Sequence, residues 1–202
     1  LSLTAILVFA PCAQAQEASV FIPDFKAGAD FRGFVWGVGK EDVKRYESAV
    51  FYEEKDNQIS FLEKPSRKDY RRLIRYNFEK NKLVRASYEF QELIPPSPEP
   101  AVDLYEAMKA AVIRAKGKPL EVEFIWGDRL YAYYPQFWGR ALRAGDLKIK
   151  STWGVGGAPR SELMLGFKTP YYTLVYTAWQ EGSSKDGFHA PLSPILPVFT
   201  NP

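Results

Sequence analysis

The chain has 202 residues, 46% hydrophobic and 25% charged, enough to bury a real core and too apolar for wholesale disorder. Its 27 basic and 24 acidic residues leave a net charge of +3, too slight to imply a polyanion such as nucleic acid as partner. One histidine and one cysteine supply neither a His/Cys metal-ligand set nor an internal disulfide.

Residues 1–15, LSLTAILVFAPCAQA, are uncharged, carry an apolar run, and close on Ala13-Gln14-Ala15, the small-residue pattern of a signal-peptide cleavage site. The expectation is a leader truncated at its start and cleaved after Ala15, giving an exported protein, periplasmic or secreted. The run is too short to span a bilayer, so no transmembrane segment is expected in the mature chain. Acylation of Cys12 is disfavoured because Pro11 stands where a lipobox needs a small residue.

The next stretch, FRGFVWGVGKEDVKRYE (31–47), invites comparison with a phosphate-binding loop. A P-loop needs G-x-x-x-x-G-K-[ST]. Here Gly33 lies one residue too far from Gly39-Lys40, and Glu41 occupies the hydroxyl position. The alternative is a turn through Gly37 and Gly39 into a helix, with Glu41 and Asp42 in the first turn where the macrodipole favours acids. Val43, Tyr46 and Val50 recur at helical spacing and are expected to face a core.

Beyond that helix the period becomes two. AVFYEEKDNQISFLEK reads as a hairpin turning at Lys55-Asp56-Asn57. In RRLIRYNFEKNKLVRASYEF, Ile74, Tyr76 and Phe78 alternate with polar residues, as do Val84, Ala86, Tyr88 and Phe90 after the Lys80-Asn81 turn. Arg71, Arg75, Arg85 and Glu89 fall on the opposite face, expected to be solvated and salt-bridged. Four prolines break the pattern at 93–100. AVDLYEAMKAAVIRAK then reads as a helix with Leu104, Met108, Ala111 and Val112 on one stripe, stopped by Gly117 and Pro119. LEVEFIW, its expected hairpin partner GDRLYAYY, LKIKSTW, ELMLGFK and YYTLVYTAW follow as strands. The last is apolar on nearly every residue and is expected at the centre of its sheet.

The predicted fold class is α+β, in two consecutive units of one helix plus a four- or five-stranded antiparallel sheet. The first unit spans 28–92 and the second 101–180, joined by a Pro-rich linker at 93–100 and followed by a flexible Pro-rich tail at 181–202. WGVGKEDVKRYE resembles the helix opening of small exported α+β modules. These include the small lipoprotein of the outer-membrane barrel-assembly machinery and the tandem-repeat β-lactamase inhibitory proteins. Residues 31–180 are similar to uncharacterised bacterial periplasmic domains through Trp36-Gly37 with Val43, Ile74-Arg75-Tyr76-Asn77-Phe78, and Gly117-Lys118-Pro119. Gly39 replaces the Ser or Thr of the named modules, and their paired cysteines are absent. The resemblance implies fold and export, and transfers no functional residue.

No catalytic machinery is expected. His189 lies in a linker-like segment, whereas a triad needs a rigidly held base. The acid pairs Glu41-Asp42 and Glu53-Glu54 sit where carboxylates are usually just solvated. No cofactor and no metal site is predicted. The expected function is binding of an envelope protein, with a glycan or lipid headgroup as the alternative and a hydrolase third. The candidate binding residues lie in RLYAYYPQFWGRAL (129–142): Tyr131, Tyr134, Phe137, Trp138 and Arg140. Large aromatic surfaces give contact area at low entropic cost, and Tyr134 with Trp138 is the pair expected to be exposed. The competing expectation is that these aromatics pack as core over a sheet end.

Overall fold

The computed structural model describes residues 29–63, 70–93, 99–155, 158–168 and 171–183. Residues 1–28 with Cys12, most of the 93–100 proline segment and residues 184–202 with His189 lie outside the described residues. In chain order come α1 (Lys40–Tyr46), β1 (Val50–Lys55), β2 (Gln58–Glu63), β3 (Tyr70–Glu79) and β4 (Lys82–Leu93). Then follow α2 (Glu99–Lys116), β5 (Glu121–Trp126), a 3₁₀ turn (Pro135–Phe137), α3 (Trp138–Ala144), β6 (Leu147–Val155), β7 (Ala158–Lys168) and β8 (Tyr171–Trp179).

The strands form one antiparallel sheet in the order β1-β2-β3-β4-β8-β7-β6-β5. The expectation of two units with a sheet each is therefore wrong. β4 and β8 pair without a break from Arg85↔Trp179 to Leu93↔Tyr171 and fuse the halves. Both strands carry an apolar face, and their pairing sets Ala86 beside Ala178, Tyr88 beside Tyr176 and Phe90 beside Leu174. Two separate sheets would leave these faces and ladders as exposed edges. β8 occupies the interior of the sheet, as its continuous apolarity requires.

One face of the sheet carries the core. Ile59 and Phe61 on β2, Ile74 and Tyr76 on β3, Tyr88 on β4, Leu174 and Tyr176 on β8, Leu163 and Leu165 on β7, and Ile149 on β6 are all buried. Tyr105, Met108 and Val112 of α2 are buried in the same cluster, each contributing about 1.5–3 kcal/mol of transfer free energy. Two polar bonds pin α2 to β6: Tyr105 Oη lies 2.7 Å from Ser151 Oγ, and Trp153 Nε1–H donates to the Gly117 carbonyl at 3.0 Å.

The WGVGK stretch is a turn docked on β4. Gly37, at φ +88°, adopts the left-handed conformation that glycine tolerates. Its N–H donates to Leu83 O at 2.8 Å, and Leu83 N–H returns a bond to Val38 O at 2.9 Å. Lys40 reaches Glu54 at 3.0 Å and the Asp56 carbonyl at 3.1 Å.

Three further expectations are corrected. Val43 is wholly buried, but Tyr46 (68% exposed) and Val50 (51%) face outward, because α1 is only seven residues long and β1 is an edge strand. Val84, expected to open the apolar alternation of β4, is only half-buried, because a bulge at Asn77/Phe78 sets Leu83 opposite Phe78 and Leu83 takes the core position. GDRLYAYY is not a strand: Asp128 Oδ1 accepts the Leu130 amide at 2.9 Å and starts successive turns, and β5 pairs with β6 instead.

Candidate functional site

The 129–142 segment is built as turns seated on β5. Ala132 N–H donates to Arg129 O, Tyr134 N–H to Tyr131 O and Phe137 N–H to Tyr134 O, at 2.8–3.0 Å. Pro135 then opens the 3₁₀ turn that leads into α3. Buried Ala141 and Leu142 hold α3 down, and Gly145 closes it at φ +82° with its N–H on Leu142 O. The absence of strand alternation here has a local cause, since the proline and the Asp128 cap favour turns.

Every predicted binding residue reaches this surface, in different states of burial. Trp138 is half-buried, its ring 4.8 Å from Phe124 and 6.1 Å from Trp126, both on β5. Tyr131 and Phe137 are half-buried against each other at 5.7 Å, with Tyr134 6.3 Å from Phe137. The exposed Arg140 guanidinium lies 5.2 Å from the Phe137 ring centroid, a cation–π arrangement. Tyr133 at 85% exposed and Tyr134 at 52% stand furthest into solvent. Trp138 thus forms part of the base and the two tyrosines form the rim. Sequence reasoning missed Phe124, Trp126 and the prominence of Tyr133. The alternation in EVEFIW put Phe124 and Trp126 on one face, but only the sheet order brings that face under Trp138.

A second constellation lies on the core face near β2–β4. Arg32 binds Glu47 at 3.0 and 3.3 Å and Glu63 at 2.6 Å, with its guanidinium 5.8 Å from the Tyr88 ring centroid. Tyr76 Oη–H donates to Glu47, Tyr88 Oη–H donates to Glu63 at 2.7 Å, Arg72 adds a bond to Glu63 at 2.9 Å, and the Ala49 amide bonds Glu47. All four carboxylate oxygens of Glu47 and Glu63 are therefore engaged. Burial by itself pushes the Glu47 carboxyl up, but the Arg32 and Tyr76 hydrogen bonds and the Arg32 charge outweigh it and hold the group below the usual carboxylate range. Burial, followed by the neighbouring carboxylates, pushes the Tyr76 and Tyr88 phenols up. The arrangement clamps the 31–34 turn and the end of α1 onto the sheet.

The opposite face is polar along a complete row: Glu53, Ser60, Arg75, Ser87, Thr177, Glu162, Thr152 and Glu121 are paired in register across the eight strands. It is not the solvated outer face expected. Ser60, Ser87 and Glu89 are wholly buried and Arg85 nearly so. Arg75 forms an ion pair with Glu89, so the two residues read as an exposed basic stripe and its counter-charge are an enclosed pair. Lys82 is exposed, and the Arg71 side chain lies outside the described residues.

Among the described residues, no three His, Cys, Asp or Glu side chains come together as a metal site, and no helix is long and apolar enough to cross a membrane. No protein-family model, curated protein or solved structure matches the chain.

Proposed function

We propose that this chain is a non-catalytic binding module of the cell envelope, engaging a protein partner through the 129–142 surface. The observation that carries it is the pair Tyr133 and Tyr134, held 85% and 52% exposed on turns fixed over Trp138, Phe124 and Trp126. Large amphipathic rings on a rigid base lose little entropy on association, and an adjacent Arg140 adds a donor of the kind interfaces favour. The export half of the proposal rests on the Ala13-Gln14-Ala15 pattern.

Photo-crosslinking from the neighbouring exposed position 136 in the native envelope tests it. Tyr133→Ala and Tyr134→Ala should each lower capture of a discrete partner without moving the melting temperature. Trp138→Ala should lower both, because its ring is part of the base. Undiminished capture by both tyrosine variants would overturn the proposal. A solvent-facing tyrosine is also a stacking platform for sugars. A glycan-array signal that disappears in Tyr133→Ala would select a carbohydrate instead.

A further inference from the structure

The two ends of the sheet differ in how they treat their free backbone. β1 is guarded: a bulge interrupts it between Phe51 and Glu53, and the run Glu53-Glu54-Lys55 charges it. Bulges and charges are devices that blunt an edge. β5 has no bulge and no lysine; its two charges, Glu121 and Glu123, lie on the polar face, Glu123 in an ion pair with Lys150 of β6 at 2.6 Å, and its Val122, Phe124 and Ile125 are 40%, 40% and 37% exposed. Among the described residues it pairs with β6 alone.

The direction of its free hydrogen-bonding groups follows from one contact. Gly127 N–H donates to Asp146 O at 2.7 Å, in register with the β5–β6 pairs. In an antiparallel ladder these groups alternate, so the amides and carbonyls of Ile125 and Glu123 turn toward β6. Those of Val122, Phe124 and Trp126 turn to the open edge. The same three residues carry the apolar side chains of the core face, whereas Glu121 and Glu123 lie on the polar face.

We infer that β5 pairs with β5 of a second copy of this chain, antiparallel about a two-fold axis through Phe124. In that register Phe124 faces Phe124 of the other copy and Val122 faces Trp126, so every outward amide and carbonyl of the strand meets a partner. Glu123 falls opposite Ile125, and Glu121 opposite Gly127. The acids select this register. Moving the axis to Glu123 sets Glu123 against itself, and moving it to Val122 sets Glu121 against Glu123; like charges directly opposite are unfavourable. Moving it to Ile125 avoids that clash but leaves Val122 opposite Asp128, outside the strand, and loses a ladder pair. A two-fold contact of this kind is closed and joins both sheets into one. Because the axis is perpendicular to the sheet, both 129–142 surfaces then sit on the same side, presenting the tyrosines bivalently.

Sedimentation of the full chain as concentration is raised tests the pairing. The wild-type protein should sediment as a dimer. Val122→Pro removes an outward N–H, a change an edge strand accommodates, and should give a folded monomer. Ile125→Glu sets two like-charge pairs across the axis and should weaken dimerisation about tenfold, with Glu123→Gln in the same chain restoring it. A wild-type chain that remains monomeric, or a dimer left intact by both Val122→Pro and Ile125→Glu, overturns the inference. So does a failure of Glu123→Gln to rescue, since the register would then be wrong.

Discussion

Removing the Arg32 side chain should be among the most damaging single changes outside the apolar core. Arg32 is 13% exposed and bridges two carboxylates; the Glu47 side chain beneath it is 2% exposed. Arg32→Ala leaves Glu47 with the Tyr76 hydroxyl and the Ala49 amide as neutral partners for a buried charge. Orphaning one member of a buried ion pair costs roughly 3–5 kcal/mol. For a chain of this size that is a melting decrease of roughly 6–20 °C. The loss should depend on pH with a definite sign. In the wild type the folded-state Glu47 value is depressed, so its stabilisation is present above the ordinary carboxylate range and is lost as pH falls through the folded value. Without Arg32, its hydrogen bond and its charge no longer hold the carboxyl down against burial, so the Glu47 value rises relative to the wild type and protonation relieves the variant. The stability gap between the two proteins should therefore be widest at neutral pH and narrow toward about pH 4. Urea unfolding followed by tryptophan fluorescence measures both. Glu47→Gln added to Arg32→Ala should recover part of the loss, because the side chain is then neutral, with its oxygen accepting from the Ala49 amide and its NH2 donating to the Tyr76 hydroxyl. A deficit below about 1 kcal/mol that does not vary with pH would refute the reasoning, because it is what a solvated surface pair produces.

Two further outcomes are expected. Val43→Asp should unfold the protein or cost several kcal/mol by circular dichroism melting, since Val43 is the wholly buried residue of α1; Lys40→Ala, which loses only partly solvated pairs, serves as its mild control. Burial pushes the Tyr105 and Tyr176 phenols up to about 12, and the raised folded values mean stability is present below the ordinary tyrosine value and lost as pH rises from about 10 through about 12. Phenolate absorbance should then appear in two stages, the exposed tyrosines first and the buried ones together with loss of circular dichroism; a single stage without unfolding would contradict the packing.

Much was legible in the chain because local rules carried it. The glycine turn with acids behind it made α1, alternation around Lys80-Asn81 made β3 and β4, the 104–112 stripe with its Gly117 stop made α2, and unbroken apolarity put β8 inside a sheet. Within 129–142, Tyr131, Tyr134 and Arg140 gather around Phe137, while Trp138 packs on the β5 aromatics. What local periodicity cannot carry is which strand lies beside which. The β4–β8 ladder joins residues far apart in the chain, and it alone turns two helix-plus-strand runs into one sheet. Alternation placed Arg75 and Glu89 on one side of the sheet, but it could not show that they would be enclosed there as an ion pair, since it gives the side of a sheet and not its burial. Arg32, Glu47, Glu63, Tyr76 and Tyr88 are spread over the first unit with no common spacing; only the docking of the 31–34 turn and α1 onto β2–β4 collects them. Trp138 lies half-buried rather than outward for a related reason. A bare edge strand presented Phe124 and Trp126 to it, and edges are a property of sheet order, which tertiary packing decides.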